Sequence, residues 1–88
     1  MRNQIAAANW KMNLTRQQAS DLLQTLVSSD ISLNEHQTAV FAVPFPYLAM
    51  AIDFVRHKNN YFIAAQNCSN KKSGAYTGEV SAEMLKSL

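Results

Sequence analysis

A regular alternation of short apolar runs with amphipathic segments restricts the possible folds of this sequence more than any other feature. Apolar runs of strand length lie at Ile5–Asn9, Thr38–Val43 and Tyr61–Ala65. Such continuous runs are typical of strands buried on both faces of a parallel sheet, and we expect this of the first two. A segment with helical periodicity separates each pair. The order predicts an α/β fold with a parallel βαβαβ unit and right-handed crossovers.

Both intervening segments carry signals of a helix start. Thr15 and Gln18 form a T-x-x-Q capping box, which predicts a helix from Arg16 to Ser28. Pro46 suits a first helical turn, and the second helix is predicted from Tyr47 to Lys58. The apolar positions repeat at the spacing of one helical face. They are Ala19, Leu22, Leu23, Leu26 and Val27 in the first helix, and Leu48, Ile52 and Val55 in the second.

The end of the sequence combines a long polar loop with the start of another helix. Gln66 to Glu79 is long for a connection between a strand and a helix, and such loops are often functional. Ser81 is a candidate cap for a third helix that carries Ala82 and Leu85 on one face. Because so short a helix is marginal by itself, we expect a chain truncated early in its third helix, at Leu88.

Composition excludes several classes of function. With 48% hydrophobic and 16% charged residues among 88, the chain has the profile of a packed globular segment. The net charge is +2 and the basic residues are scattered, so we expect no nucleic-acid partner. The apolar run near the amino terminus is too short for a signal peptide or a membrane span, which predicts a cytoplasmic protein without a membrane partner. The single cysteine, Cys68, excludes an intrachain disulfide and a cysteine zinc site, and we predict no metal site.

Asn9 and Lys11 lie two positions apart where the first predicted strand ends. In extended backbone, residues i and i+2 project from the same face, so both side chains would point to one place. An ammonium beside an amide, at the carboxyl end of a parallel strand, suits an anionic substrate. The alternative is a solvated lysine next to a turn-forming asparagine, and the N-x-K pattern alone leaves both interpretations open.

The long loop offers a second candidate site at its tip. Tyr76 and Thr77 lie between Gly74 and Gly78, which allow a tight backbone around one aromatic ring and one hydroxyl. This pattern is compatible with a docking tip and equally with an ordinary turn. Neither a phosphate-loop signature nor the G-x-G-x-x-G pattern accompanies it, which argues against nucleotide binding.

The remaining chemically versatile residues favour structural interpretations. His36 precedes the second strand and His57 ends the second helix, so both are expected at the sheet edge opposite Lys11, as surface or helix-end cations. Cys68 is interpreted as a half-buried small hydrophobic residue.

Three stretches in sequence order together resemble one family, the triosephosphate isomerases. They are AANWKMN at residues 7–13, PFPYL at 44–48, and AAQNC at 64–68 leading to GAYTGEVS at 74–81. The resemblance covers nearly the whole chain. It implies a (β/α)8 barrel, a fold of about 250 residues. Residues 1–88 would then be the incomplete N-terminal part of a single barrel domain.

The resemblance also implies an activity. It is the interconversion of dihydroxyacetone phosphate and glyceraldehyde 3-phosphate through an enediolate, in glycolysis and gluconeogenesis, without cofactor or metal. Lys11 corresponds to the family's active-site lysine, which neutralises substrate phosphate and developing charge, and Asn9 to the asparagine that positions the substrate. Tyr76 and Thr77 fall in the loop by which family members form homodimers, and the threonine enters the partner's active site.

The family's catalytic histidine and glutamate motifs would lie beyond Leu88. The histidines and glutamates of this chain do not match them, namely Glu35, His36, His57, Glu79 and Glu83. We therefore expect the 88-residue chain to be inactive alone. Two alternatives remain: a stand-alone βαβαβ interaction module without catalysis, and a nucleotide-binding half-domain, which the missing glycine pattern disfavours.

Overall fold

The three apolar runs form one sheet in the computed structural model, which describes residues 2–88. In chain order the elements are β1 (Gln4–Asn9), α1 (Arg16–Val27), β2 (Gln37–Val43), a 3-10 turn (Phe45–Tyr47), α2 (Leu48–Val55), β3 (Tyr61–Ala65) and α3 (Ala82–Lys86). Within the described residues, the sheet has the order β1-β2-β3 and both pairs are parallel. This confirms the predicted parallel βαβαβ segment of a barrel.

The strand register brings the carboxyl ends of all three strands to one edge of the sheet. Asn9 pairs with Ala42, one position before the end of β2, and Val43 pairs with Ala65 at the end of β3. The segments that follow the strands therefore leave the sheet side by side. This edge is where parallel α/β folds bind ligands.

The first helix begins as the sequence predicts. The Gln18 amide donates to Thr15 Oγ1 at 3.3 Å, and the Thr15 amide donates to Gln18 Oε1 at 2.9 Å, which completes the capping box. The helix ends at Val27, with Ser28 as its C-cap rather than its last residue.

The second helix is shorter than predicted. A 3-10 turn precedes it, and α2 covers Leu48–Val55 instead of reaching Lys58. The Lys58 amide donates to the Val55 carbonyl, which closes a turn in place of further helix.

The core lies between the two helices and the second strand. Four buried residues form its contiguous cluster, namely Leu23, Val43, Leu48 and Ala51, and Ala19 and Val55 are buried as well. Burial of an aliphatic side chain such as Leu23 contributes about 1.5–3 kcal/mol. Partly buried aromatic residues from the carboxyl-terminal edge, including Trp10 and Tyr47, pack against this cluster. The segments that follow β1 and β2 are thereby fixed to the core.

The prediction that the first two strands are buried on both faces is wrong for the described residues. All six residues of β1 are exposed, and Ile5 retains 69% of its accessible surface. In β2, only Val43 is fully buried. The reason is that β1 has substantial contacts only with β2, and no described helix packs extensively over its faces. Among residues 2–88, no helix combines the length and apolar character that crossing a membrane would require.

Candidate functional site

The segments that follow the three strands enclose a shallow depression at the carboxyl-terminal edge of the sheet. Its volume is about 260 Å³, and it is lined by Lys11, Met12, Pro44, Phe45, Pro46, Gln66 and Asn67. The structure thus brings Lys11 together with residues that are more than thirty positions away in sequence. A cation, two amide side chains and apolar ring carbons share this depression.

Asn9 and Lys11 lie at the start of this edge, but their arrangement differs from the expectation. Asn9 is the last residue of β1, and its Oδ1 accepts a hydrogen bond of 2.8 Å from the Lys11 amide. Lys11 has a φ of 58°, so its backbone is left-handed and not extended. The argument from strand alternation does not hold at Lys11. The two residues are instead joined by a turn of the kind that asparagine side chains stabilise.

Gln66 connects all three strand ends and was not among the predicted site residues. Its Nε2 donates to the Lys11 carbonyl at 3.0 Å and to the Ala42 carbonyl at 2.9 Å. The Ala42 carbonyl also accepts a hydrogen bond from the Trp10 amide at 3.0 Å. The signal was present, because Gln66 is the first polar residue after β3, and the carboxyl ends of parallel strands meet at one edge.

A second left-handed residue follows Lys11 in the same segment. Leu14 has a φ of 77°, and its carbonyl accepts a hydrogen bond of 2.8 Å from the Tyr47 hydroxyl. Between the two, Asn13 Nδ2 donates to the Trp10 carbonyl at 2.9 Å. Side chains of the first and second β/α units therefore both hold this short segment.

The long loop is closed at its base and exposed at its tip. Ser69 and Ser81 form an isolated parallel bridge, and the Ser69 amide donates to the Val80 carbonyl at 2.7 Å. Tyr76 is 48% exposed and Thr77 is exposed. Tyr76 borders a separate depression of about 190 Å³ on the loop, which Lys11 does not line.

Both glycines of the loop tip adopt conformations that other residues rarely take. Gly74 has a φ of 134°, and a Cβ atom there would lie 2.8 Å from the Tyr76 ring. Gly78 has a φ of 89°, and the Glu79 amide donates to the Tyr76 carbonyl across it at 3.0 Å. A positive φ at the third position of such a turn requires glycine or asparagine. The loop conformation therefore depends on both glycines.

The histidines and the cysteine do not line the depression that contains Lys11. The His36 carbonyl accepts a hydrogen bond from the Gln4 amide at the beginning of β1, and His57 is exposed after α2. Cys68 is exposed, so its interpretation as half buried is wrong; the loop that carries it lies over the surface. Within residues 2–88, no three histidine, cysteine or acidic side chains lie close enough to hold a metal ion.

Comparisons with known proteins agree on one family. The family model described as triosephosphate isomerase matches residues 4–88. A triosephosphate isomerase of Flavobacterium psychrophilum is 41% identical over 88 residues, which are 100% of this chain and 34% of that protein. A triosephosphate isomerase of Mycoplasma mobile is 37% identical over 97% of this chain and 36% of that protein. A cytosolic triosephosphate isomerase of Stellaria longipes is 41% identical over 91% of this chain and 30% of that protein. The chain spans about a third of the length of these curated relatives.

Proposed function

Because this chain belongs to the triosephosphate isomerase family, we propose that the whole protein interconverts dihydroxyacetone phosphate and glyceraldehyde 3-phosphate through an enediolate. Residues 1–88 would form the N-terminal part of its single (β/α)8 domain, and the reaction would need neither cofactor nor metal. The observation that carries the proposal is the family match over residues 4–88, which includes the Lys11 depression. The relative named as cytosolic supports a cytoplasmic location.

Lys11 is proposed to neutralise the substrate phosphate and the negative charge that develops on the enediolate. Two unit charges about 4 Å apart attract each other by about 4 kcal/mol at the effective dielectric constant of a protein surface. The attraction is most useful if the ammonium is already in place before the reaction begins. The hydrogen bonds of Asn9 and Gln66 to the backbone of Lys11 support such preorganisation.

Asn9 has a double role in this proposal. Its Oδ1 is engaged by the Lys11 amide, which fixes the turn between the two residues. An Asn side chain has two amide hydrogens in addition to that oxygen. We propose that Nδ2 donates to an oxygen of the substrate, so that Asn9 orients the triose while Lys11 holds its phosphate.

The described residues contain only part of what such a reaction needs. Proton transfer at carbon requires a general base and a general acid, and no histidine or carboxylate lines the Lys11 depression. The 88-residue chain is therefore proposed to hold substrate-binding groups and to be inactive alone. The catalytic base and electrophile would come from the rest of the barrel.

The homodimer is the other part of the proposal. The loop Gln66–Glu79 is proposed as the main contact with a second copy, with Tyr76 and Thr77 buried at its tip. Tyr76 leaves 48% of its surface exposed on a loop that is closed at its base, and tyrosine is a favoured interface anchor because it covers a large area with few rotatable bonds.

The test uses the full-length protein and a lysine variant with a matched control. Lys11→Met keeps most of the stem and removes the charge, and we expect kcat/KM for the triose phosphate to fall at least about 100-fold, as when one preorganised group is lost from an active site. Lys58→Met makes the same change at the opposite sheet edge, where the ammonium lies 5.2 Å from the Tyr61 ring. It should leave kcat/KM within about twofold. Near-normal activity of Lys11→Met would refute the electrostatic role, and an inactive wild type would refute the function.

A stand-alone βαβαβ interaction module remains the second candidate, and one observation favours it. The edge strand β1 is exposed along its whole length. In β3, Phe62 retains 54% of its accessible surface. Unpaired strand edges are surfaces to which another chain can add. The mass of the natural protein separates the candidates. A mass near 9.8 kDa would favour the module, whereas one about three times larger would favour the barrel.

A further inference from the structure

The segment that carries Lys11 contains both of the left-handed non-glycine residues found at this edge of the sheet. Lys11 has a φ of 58° and Leu14 a φ of 77°. Positive φ is uncommon outside glycine, and for a bulky side chain such as leucine it is an outlier. Conformations of this kind persist only when the surrounding structure over-determines them, and they concentrate at functional sites.

Each of these two residues is held through its own carbonyl by a side chain from another β/α unit. Gln66 Nε2 donates to the Lys11 carbonyl at 3.0 Å, and the Tyr47 hydroxyl donates to the Leu14 carbonyl at 2.8 Å. The two contacts approach the segment from opposite ends. Gln66 follows β3, and Tyr47 belongs to the turn that precedes α2.

Tyr47 is well suited to hold a backbone group in place. Its ring is partly buried and packs against the core cluster that contains Leu23 and Leu48. The ring cannot move without disturbing that core, and a phenol has few rotatable bonds. Its hydroxyl therefore offers the Leu14 carbonyl a fixed partner.

Hydrogen bonds within one short turn connect Leu14 to Lys11. Asn13, next to Leu14, donates through Nδ2 to the Trp10 carbonyl at 2.9 Å, and the Lys11 amide donates to Asn9 Oδ1 at 2.8 Å. A displacement of Leu14 would displace Asn13 and the peptide between Trp10 and Lys11. The position of the Lys11 side chain depends on that peptide.

We infer that Tyr47 is a positioning residue for the isomerase reaction, and that its hydroxyl acts through the Leu14 carbonyl to keep Lys11 in its left-handed conformation. The inference rests on the proposed function, because it takes Lys11 as the group that binds the substrate phosphate. Tyr47 itself does not line the depression that contains Lys11.

The test is Tyr47→Phe in the full-length protein, which removes the hydroxyl and keeps the ring in the core. KM for the triose phosphate and the inhibition constant of inorganic phosphate should both rise about 3- to 10-fold, the factor expected for one net hydrogen bond. Hydrogen exchange at the Lys11 amide should accelerate by a similar factor, because the turn opens more often. A purely structural role would lower the melting temperature without these local changes.

Tyr61→Phe is the matched control. It removes the same atom from a partly buried tyrosine at the beginning of β3, whose ring packs edge-on to Phe41 at a centroid distance of 6.0 Å. In this variant, the inhibition constant of inorganic phosphate and the hydrogen-exchange rate of the Lys11 amide should stay within about twofold of wild type. Unchanged values in Tyr47→Phe, or equal changes in Tyr61→Phe, would overturn the inference. Lack of isomerase activity in the wild type would refute the proposed function separately, and the exchange at Lys11 would still decide whether Tyr47 holds the turn.

Discussion

Exchanging the Gln66 amide for a carboxylate of the same shape would test how the three strand ends are joined. In Gln66→Glu, the donor Nε2 is replaced by an oxygen that faces the carbonyls of Lys11 and Ala42, at the present distances of 3.0 and 2.9 Å. Two hydrogen bonds are lost and replaced by repulsion between a carboxylate and two carbonyl oxygens. We expect a large loss of stability for a change of so few atoms.

The magnitude follows from the two contacts. Each hydrogen bond contributes about 0.5–1.5 kcal/mol to the free energy of unfolding. Gln66 is an exposed residue, so water screens part of the repulsion. The two lost hydrogen bonds and the screened repulsion together should lower the free energy of unfolding by about 2–4 kcal/mol. For a domain of 150–250 residues, 1 kcal/mol corresponds to about 2–4 °C in Tm, which gives a decrease of roughly 4–16 °C.

The pH dependence separates repulsion from the loss of hydrogen bonds. Nearby carbonyl oxygens disfavour the ionised carboxylate, so its pKa in the folded state should lie above the unperturbed value of about 4.3. The folded state then binds the proton more tightly than the unfolded state, and stability falls as pH rises through the folded pKa. Gln66→Met removes the donor without adding charge, and it should show no such dependence.

The assay is thermal unfolding of both variants and wild type in the full-length protein, between about pH 4 and pH 8. The deficit of Gln66→Glu relative to Gln66→Met should be present at neutral pH. It should shrink as pH falls through the folded pKa and be smallest below about pH 4.3. Equal melting of the two variants at every pH would refute the repulsion argument. If both variants unfolded at the wild-type Tm, the contacts of Gln66 would add nothing to stability.

Three other predictions concern the chain and its long loop. The purified 88-residue chain should give no isomerase turnover above buffer in a coupled assay, because a missing acid or base costs about 10²- to 10⁴-fold; measurable turnover would contradict this. Deleting Lys71 to Gly78 from the full-length protein should give a monomer of strongly reduced activity, since Thr77 could no longer reach a partner; an unchanged dimer in sedimentation would exclude the loop from the interface. Gly74→Ala should destabilise the loop by about 1–3 kcal/mol, because its Cβ would lie 2.8 Å from the Tyr76 ring at a φ of 134°. Dimer dissociation and limited proteolysis would measure this loss of stability. Wild-type values in both assays would contradict the predicted strain.

The regular elements could be predicted because local signals and tertiary structure agree there. The capping box of Thr15 and Gln18 set the beginning of α1, and the apolar run Tyr61–Ala65 matched β3 at both ends. Burial was less predictable, because it depends on neighbours. The apolar residues of β1 lie at a sheet edge, and composition cannot distinguish an edge strand from a central one.

The conformation of the Lys11 segment could not be predicted, and the reason is physical. Lysine and leucine disfavour positive φ, so any local rule places Lys11 and Leu14 in extended or right-handed backbone. Their observed conformations are fixed by Gln66 and Tyr47, whose contacts span 55 and 33 positions of sequence. Local preference and tertiary contact disagree at these two residues. Such disagreement is expected where a site needs a side chain in one fixed place, because binding interactions elsewhere offset the strain. A left-handed lysine in a segment that side chains from two other β/α units hold is therefore a stronger indication of a binding site than the N-x-K pattern alone.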